Sequence, residues 1–226
     1  MIPPLMMIDD VLSVTECGVN SLKMNALVLS KMATKRLELG ASKCYQLHVG
    51  KTVSTCPSLQ VDSGLSMEKA SKQRYLGDII STDTKIDANI KMRYDKGLLI
   101  NNEIISILRE VNLGNHFFEI AFMLHSSLLI NGILYSTEAL FKLNNQHTDK
   151  LMSCERDLLC KLWDCPRSVP TEALYIDGNI TPLKFILMGR RLMFYWSILN
   201  KPKTELVRQV FDAMSEFPHS SCWYFF

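Results

Sequence analysis

The chain has 226 residues, 47% of them apolar and 21% charged, and a net charge of +2. Such a composition can bury a real core and excludes a disordered chain; the near-neutral balance excludes a strongly basic nucleic-acid binder, so any such contact must come from local patches. Seven cysteines, at 17, 44, 56, 154, 160, 165 and 222, form an odd set with no CxxC pair, which argues against a secreted disulfide framework and for reduced, intracellular thiols.

In chain order, residues 5–15 read as a tight β-hairpin. Leu5-Met6-Met7-Ile8 and Val11-Leu12-Ser13-Val14 are its apolar arms, and Asp9-Asp10 forms the tip, since aspartate tolerates turn geometry. The start, Met1-Ile2-Pro3-Pro4, lacks the basic residues and apolar stretch of a signal peptide. A helix is expected over residues 19–39. Its inner face is Leu22, Ala26, Leu29 and Ala33, and Gly40 is its stop. Tyr45, Leu47 and Val49 alternate as a strand does, residues 52–66 read as a loop, and residues 74–80 read as one more short strand.

Helical spacing dominates from residue 83 onward. One helix is expected towards Glu110, weakened at Gly97, with a turn over 112–115 and a helical face of Phe117, Ala121, Leu124 and Leu128. The uncharged run 120–137 carries His125, Asn131 and Gly132, and a buried helix suits it better than a membrane span of about 20 apolar residues. Asn144-Asn145 opens a helix carrying Leu151, Cys154, Leu158 and Leu162, and Pro166 ends it. Pro170 and Pro182 start shorter helices, and residues 204–214 form the last. The fold class expected is α+β. It divides into a small mixed α/β piece over 1–82, an all-α bundle over 83–214, and a tail over 215–226 with no assignable structure.

Met7-Ile8-Asp9-Asp10 is the strongest chemical feature. Adjacent carboxylates on a rigid hairpin can hold Mg²⁺, a hard cation that prefers oxygen, and nucleotidyl transfer uses two such ions. On the dipeptide alone, an acidic β-turn is the plainer reading. Cys154, Cys160 and Cys165 do not have zinc spacing. His147 and Cys154 can share a helix face, and buried thiols are their ordinary state. His116 and His125, in apolar surroundings, read as core or surface histidines rather than bases.

The ordered set of motifs resembles the palm and thumb of reverse transcriptases from non-LTR (LINE-type) retrotransposons. Met7-Ile8-Asp9-Asp10 resembles motif C, with Met7 where the family has an aromatic residue. Leu39-Gly40-Ala41-Ser42-Lys43-Cys44 resembles motif D, and Tyr75-Leu76-Gly77 resembles motif E of the primer-gripping hairpin. Ile133-Leu134-Tyr135-Ser136-Thr137-Glu138-Ala139 resembles the Leu-Tyr-Gly-x-Glu stretch of the thumb. No single motif is specific; their order along residues 5–200 is what carries the resemblance.

The resemblance implies that Asp9 and, more weakly, Asp10 bind Mg²⁺. It implies that Lys43 neutralises or protonates the leaving pyrophosphate, and that Tyr75, Leu76 and Gly77 shape the primer grip. Lys91, Arg93, Lys96, Lys184, Arg190 and Arg191 become candidates for phosphate contact, although a solvated helix face is the plainer reading of them. The implied partners are an RNA template and a DNA primer, with a deoxynucleoside triphosphate as the intact enzyme's small substrate, and no membrane. The fingers and motifs A and B of the family lie ahead of motif C, so these 226 residues are expected not to polymerise alone and to hold Mg²⁺ weakly. The alternatives are a helical nucleic-acid-binding or protein-interaction module derived from the thumb, and a small Mg²⁺ enzyme using Asp9 and Asp10.

Overall fold

A computed structural model of the chain describes residues 5–7, 10–12, 18–34, 44–48, 59, 66–83, 85–111, 113–140 and 143–215. The fold is mostly helical with short strands, consistent with an α+β class. The chain separates into two compact units, Met1–Lys85 and Ile86–Phe226, so the division falls at 85/86 against the 82/83 read from the sequence.

Among its described residues, the first unit holds six short strands and one helix. Strands β1 (Leu5–Met7) and β2 (Asp10–Leu12) pair antiparallel with Met7 opposite Asp10. Helix α1 spans Gly18–Thr34. Its expected apolar face is not covered by the described residues: Leu22 is 44% exposed and Ala26 is exposed as well. Strand β3 (Tyr45–Leu47) runs parallel to β4 (Glu68–Ala70), a strand with no alternating apolar signal to announce it. The buried Gln46 helps hold this pair, because its Oε1 accepts from Leu59 N at 3.1 Å. The expected single strand over 74–80 is instead a hairpin: β5 (Lys72–Tyr75) turns directly into β6 (Asp78–Ser81).

Every regular element among the second unit's described residues is helical. Helix α2 (Asp87–Glu110) is its spine, and it packs on α4 (Asn131–Leu134) and α5 (Asn145–Leu162). Its inward stripe is Ile90, Arg93, Gly97, Asn101, Ile104 and Leu108, at intervals of three and four. Gly97 leaves this helix unbroken. It is a close-approach point, since a Cβ there would lie 2.6 Å from Cys154 Sγ and 2.9 Å from Ile133 Cδ1.

Helix α3 (Phe117–Leu124) continues through a π-helical turn, His125–Ile130, into α4. The wide turn changes the phase of the buried face. Ala121, His125, Leu129 and Ile133 point inward, and Leu128, expected inside, is 39% exposed. The stretch Gly114–Ala139 is long and apolar enough to cross a membrane by composition, yet it holds five core residues here: Ala121, Leu129, Ile130, Ile133 and Leu134.

Helix α5 follows the sequence closely. Asn144 caps it by accepting from His147 N at 2.9 Å, and Leu151, Cys154, Leu158 and Leu162 are all buried. It ends at Leu162, before Pro166. Pro170 and Pro182 stand at the N-caps of α6 (Thr171–Asp177) and α7 (Leu183–Leu199). At 17 residues α7 is not short, and α8 (Leu206–Ser215) packs on it.

Candidate functional site

Asp9 and Lys43 lie outside the described residues. Asp10 opens β2, in register with Met7. Tyr75 closes β5 and Asp78 opens β6, which leaves Leu76–Gly77 as the whole turn. Both turn residues have positive φ, +47° and +89°, as a type I′ hairpin requires. Glycine adopts this at no steric cost, whereas a leucine there costs about 1–2 kcal/mol. Leu76 is nevertheless at the tip and 40% exposed. A strained apolar residue held out at a hairpin tip is an outlier that points towards a contact role.

The six basic candidates do not behave alike. Lys91 and Lys96 on α2 and Lys184 on α7 are exposed. Arg93 corrects the expectation of a phosphate contact, for it is 2% exposed. It belongs to the inward stripe of α2, and its Nη1 donates to the carbonyl oxygens of Tyr135 and Ile133 at the end of α4. The last carbonyls of a helix lack intrahelical partners, and a cation there also meets the negative end of the helix dipole. Arg191 is the second correction. It lies on the buried side of α7 with Leu187 and Ile198 and is 8% exposed. Arg190 is partly buried, donating to Asn131 Oδ1 at 2.5 Å.

The stretch around Glu138 forms a bend. Ser136 is left-handed, φ +58°, and Thr137 Oγ1 donates to Leu134 O at 2.8 Å, closing the end of α4. Glu138 lines an open groove of about 540 Å³ with Ile186, Gly189, Arg190, Met193, Phe194 and Ser197. Relief of the left-handed strain at Ser136 exceeds the entropy cost of a glycine. Ser136→Gly is therefore expected to raise stability by about 0.5 kcal/mol, read as a higher urea midpoint; a lower midpoint would contradict the strain.

One constellation escaped the sequence reading. Glu155, fully buried on α5, accepts three hydrogen bonds: from Tyr175 Oη at 2.6 Å, from His125 Nε2 at 3.1 Å and from Leu183 N at 3.1 Å. The carboxylate therefore joins the π-helical turn, α5, α6 and the N-terminus of α7. Leu183 N is one of that terminus's orphan donors, and negative charge suits its dipole. Burial, then the charge of Glu155 and the bond to it, hold the Tyr175 phenol well above the usual tyrosine range, so it remains a donor. The signal was present: Glu155 falls among Leu151, Cys154, Leu158 and Leu159 on the apolar side of α5. The cluster is enclosed and satisfied, which makes it an organiser of the bundle rather than a reaction centre.

Among the described cysteines, Cys154 and Cys160 are core groups, whereas Cys44 and Cys165 are partly exposed. Cys154 lies against Asn101, whose Nδ2 donates to Cys154 O at 2.9 Å, and burial followed by the charge of Asp157 pushes its thiol up to about 12. His147 serves the α5 cap and reaches Asp87 Oδ1 at 3.3 Å. His116 is exposed beside Glu119, whereas His125 is buried. Among the described residues, no group of three or more His, Cys, Asp or Glu side chains is placed to hold a metal ion. The chain matches no protein-family model, no curated protein and no solved structure.

Proposed function

We propose that the chain is the part of a non-LTR retrotransposon RNA-directed DNA polymerase that runs from motif C of the palm to the thumb, with the described helices from Asp87 to Ser215 as the thumb-like bundle. The order of the motifs carries this reading, and the described parts of motifs C and E support it. Met7 and Asp10 pair across a β-hairpin, and Leu76-Gly77 is the turn of a second hairpin whose first strand ends at Tyr75. A helical unit follows, in which Ser136 has positive φ where the family pattern carries glycine, the residue that favours such a backbone.

In this reading Asp9 and Asp10 hold Mg²⁺, which would polarise a primer hydroxyl and a triphosphate. Lys43 gives a proton or a charge to the leaving pyrophosphate, and Leu76 touches the primer. Lys91, Lys96 and Lys184 are the cations open to phosphate. The 226 residues carry one motif-C carboxylate pair, whereas a two-metal centre takes carboxylates from two strands. The chain alone is therefore expected to incorporate no nucleotide on a primed RNA template with Mg²⁺. Incorporation lost in Asp9→Ala would overturn that expectation.

Duplex binding tests the assignment itself. The full chain is expected to bind a labelled RNA–DNA primer–template at low salt and to release it as salt rises. Lys91→Glu, Lys96→Glu and Lys184→Glu together should weaken binding by about tenfold or more. Leu76→Asp keeps a residue that tolerates the turn and should also weaken it. No binding at low salt would sink the proposal.

The second reading is a helical nucleic-acid-binding or interaction module derived from the thumb. Its support is the exposed Phe185, Leu192 and Trp196 on α7, the same helix as Lys184. It predicts that the lysine variants lose binding while Leu76→Asp and Asp9→Ala leave it unchanged.

A further inference from the structure

Cys160 and Cys165 meet where α5 ends. Asp164 takes the left-handed conformation, φ +46°, which lets Cys165 N donate back to Cys160 O at 3.0 Å. This is the six-to-one bond of a Schellman ending, and it normally sets the two bonded residues' side chains against each other. Given standard bond lengths, such a link holds the two α-carbons within about 7 Å, the outer limit for a disulfide. Cys160 is 5% exposed and Cys165 half-buried, and both are free; desolvation, then a hydrogen bond with Cys160, holds the Cys165 thiol above the usual cysteine range. Cys154 belongs to a different neighbourhood, beside Gly97 and Asn101. The adjoining loop is clasped to α5, since Arg156 Nη2 donates to Val169 O at 2.9 Å and to Arg167 O.

We infer that Cys160 and Cys165 form a dithiol modification site, oxidised by peroxides to a reversible disulfide that staples the end of α5 to the loop leading to α6. Cys165, the more accessible, attacks the peroxide O–O bond; it becomes a sulfenic acid and water leaves. The Cys160 sulfur then displaces the sulfenic oxygen, which leaves as a second water. Two thiols lose two electrons and two protons, and one hydrogen peroxide becomes two waters. The bridge closes a loop already closed by a hydrogen bond, so the fold need not open to accept it. This inference is independent of the polymerase reading.

The test treats the full chain with hydrogen peroxide, blocks remaining thiols and digests with trypsin without reductant. Lys161 lies between the two cysteines, so the bridge links Asp157-Leu158-Leu159-Cys160-Lys161 to Leu162-Trp163-Asp164-Cys165-Pro166-Arg167. The linked pair is expected to dominate over every other cysteine pairing, to vanish on reduction, and to leave Cys154 blocked as a free thiol. A trivalent arsenical, which bridges close thiols without oxidation, should protect both cysteines from alkylation in the folded wild-type chain, which needs no variant that folds. Cys165→Ser should lose both signals. Over-oxidation of Cys165 without a link, or no arsenical protection, would overturn the inference.

Discussion

Glu155→Ala is expected to destabilise the helical unit by about 3–5 kcal/mol, the cost of leaving three buried donors without their acceptor. The carboxylate is wholly enclosed and serves three donors on buried residues. Removing it leaves an imidazole N–H, a phenol and a helix-terminal amide buried together, each costing about 1–3 kcal/mol unsatisfied. Against a domain stability of about 5–15 kcal/mol, that is a large share. Glu155→Gln keeps the volume and one acceptor oxygen, so it should cost clearly less, with His125 free to change tautomer. Urea unfolding followed by far-ultraviolet circular dichroism checks both variants; a loss below about 1 kcal/mol for the alanine variant would show that the cluster is not a stabilising hub. The same geometry gives an alkaline signature. The Tyr175 phenol is raised in the folded state, so its contribution is complete below the unfolded tyrosine value of about 10 and is lost as pH rises above it. Tyr175→Phe should remove that part of the alkaline transition.

Gly97→Ala sets two effects of opposite sign against each other. Helix propensity favours alanine by about 1 kcal/mol in the interior of α2. Packing opposes it, because the new Cβ would stand 2.6 Å from Cys154 Sγ and 2.9 Å from Ile133 Cδ1. Cys154 and Ile133 are both fully buried, so neither can swing aside into solvent. Overpacking of this kind costs about 1–3 kcal/mol and occasionally more, so a net loss of about 1–2 kcal/mol is expected. Cys154→Ala opens space on the side where the new methyl would lie. In the double variant the two changes should compensate in part, giving a favourable coupling of about 1 kcal/mol. A stabilised Gly97→Ala chain would show that α2 and α5 can separate without cost.

Several elements were legible because their signals act within one or two turns of chain. Asn144 caps α5 through an amide three residues away, Pro170 and Pro182 mark helix starts, and the apolar face of α5 keeps one period throughout. The hairpin at Met7 and Asp10 was legible from its turn residues, although Asp10 proved to be a strand residue rather than part of the turn. The turn at Leu76–Gly77 was missed because leucine is not a residue that announces positive φ. Strand β4, Glu68–Ala70, was missed because a strand paired with β3 carries half of its reason for existing in the partner.

The basic candidates divided for the same reason. Spacing on α2 treats Lys91, Arg93 and Lys96 as one solvated group, and only packing shows that Arg93 turns inward to the carbonyls of Ile133 and Tyr135.

By itself, the sequence determined the mixed-then-helical organisation, the helix starts and the buried face of α5, since periodicity and capping are local physics. Tertiary structure alone decided which side of α2 is core, because that stripe is built on an arginine, a glycine and an asparagine that become inward residues only when α4 and α5 are present. It also decided the π-helical turn, which moves Leu128 out and brings Leu129 and His125 in. Glu155 illustrates the difference most directly: its three donors lie 20 to 30 residues away along the chain, and a buried carboxylate is tolerable only once all of them have arrived.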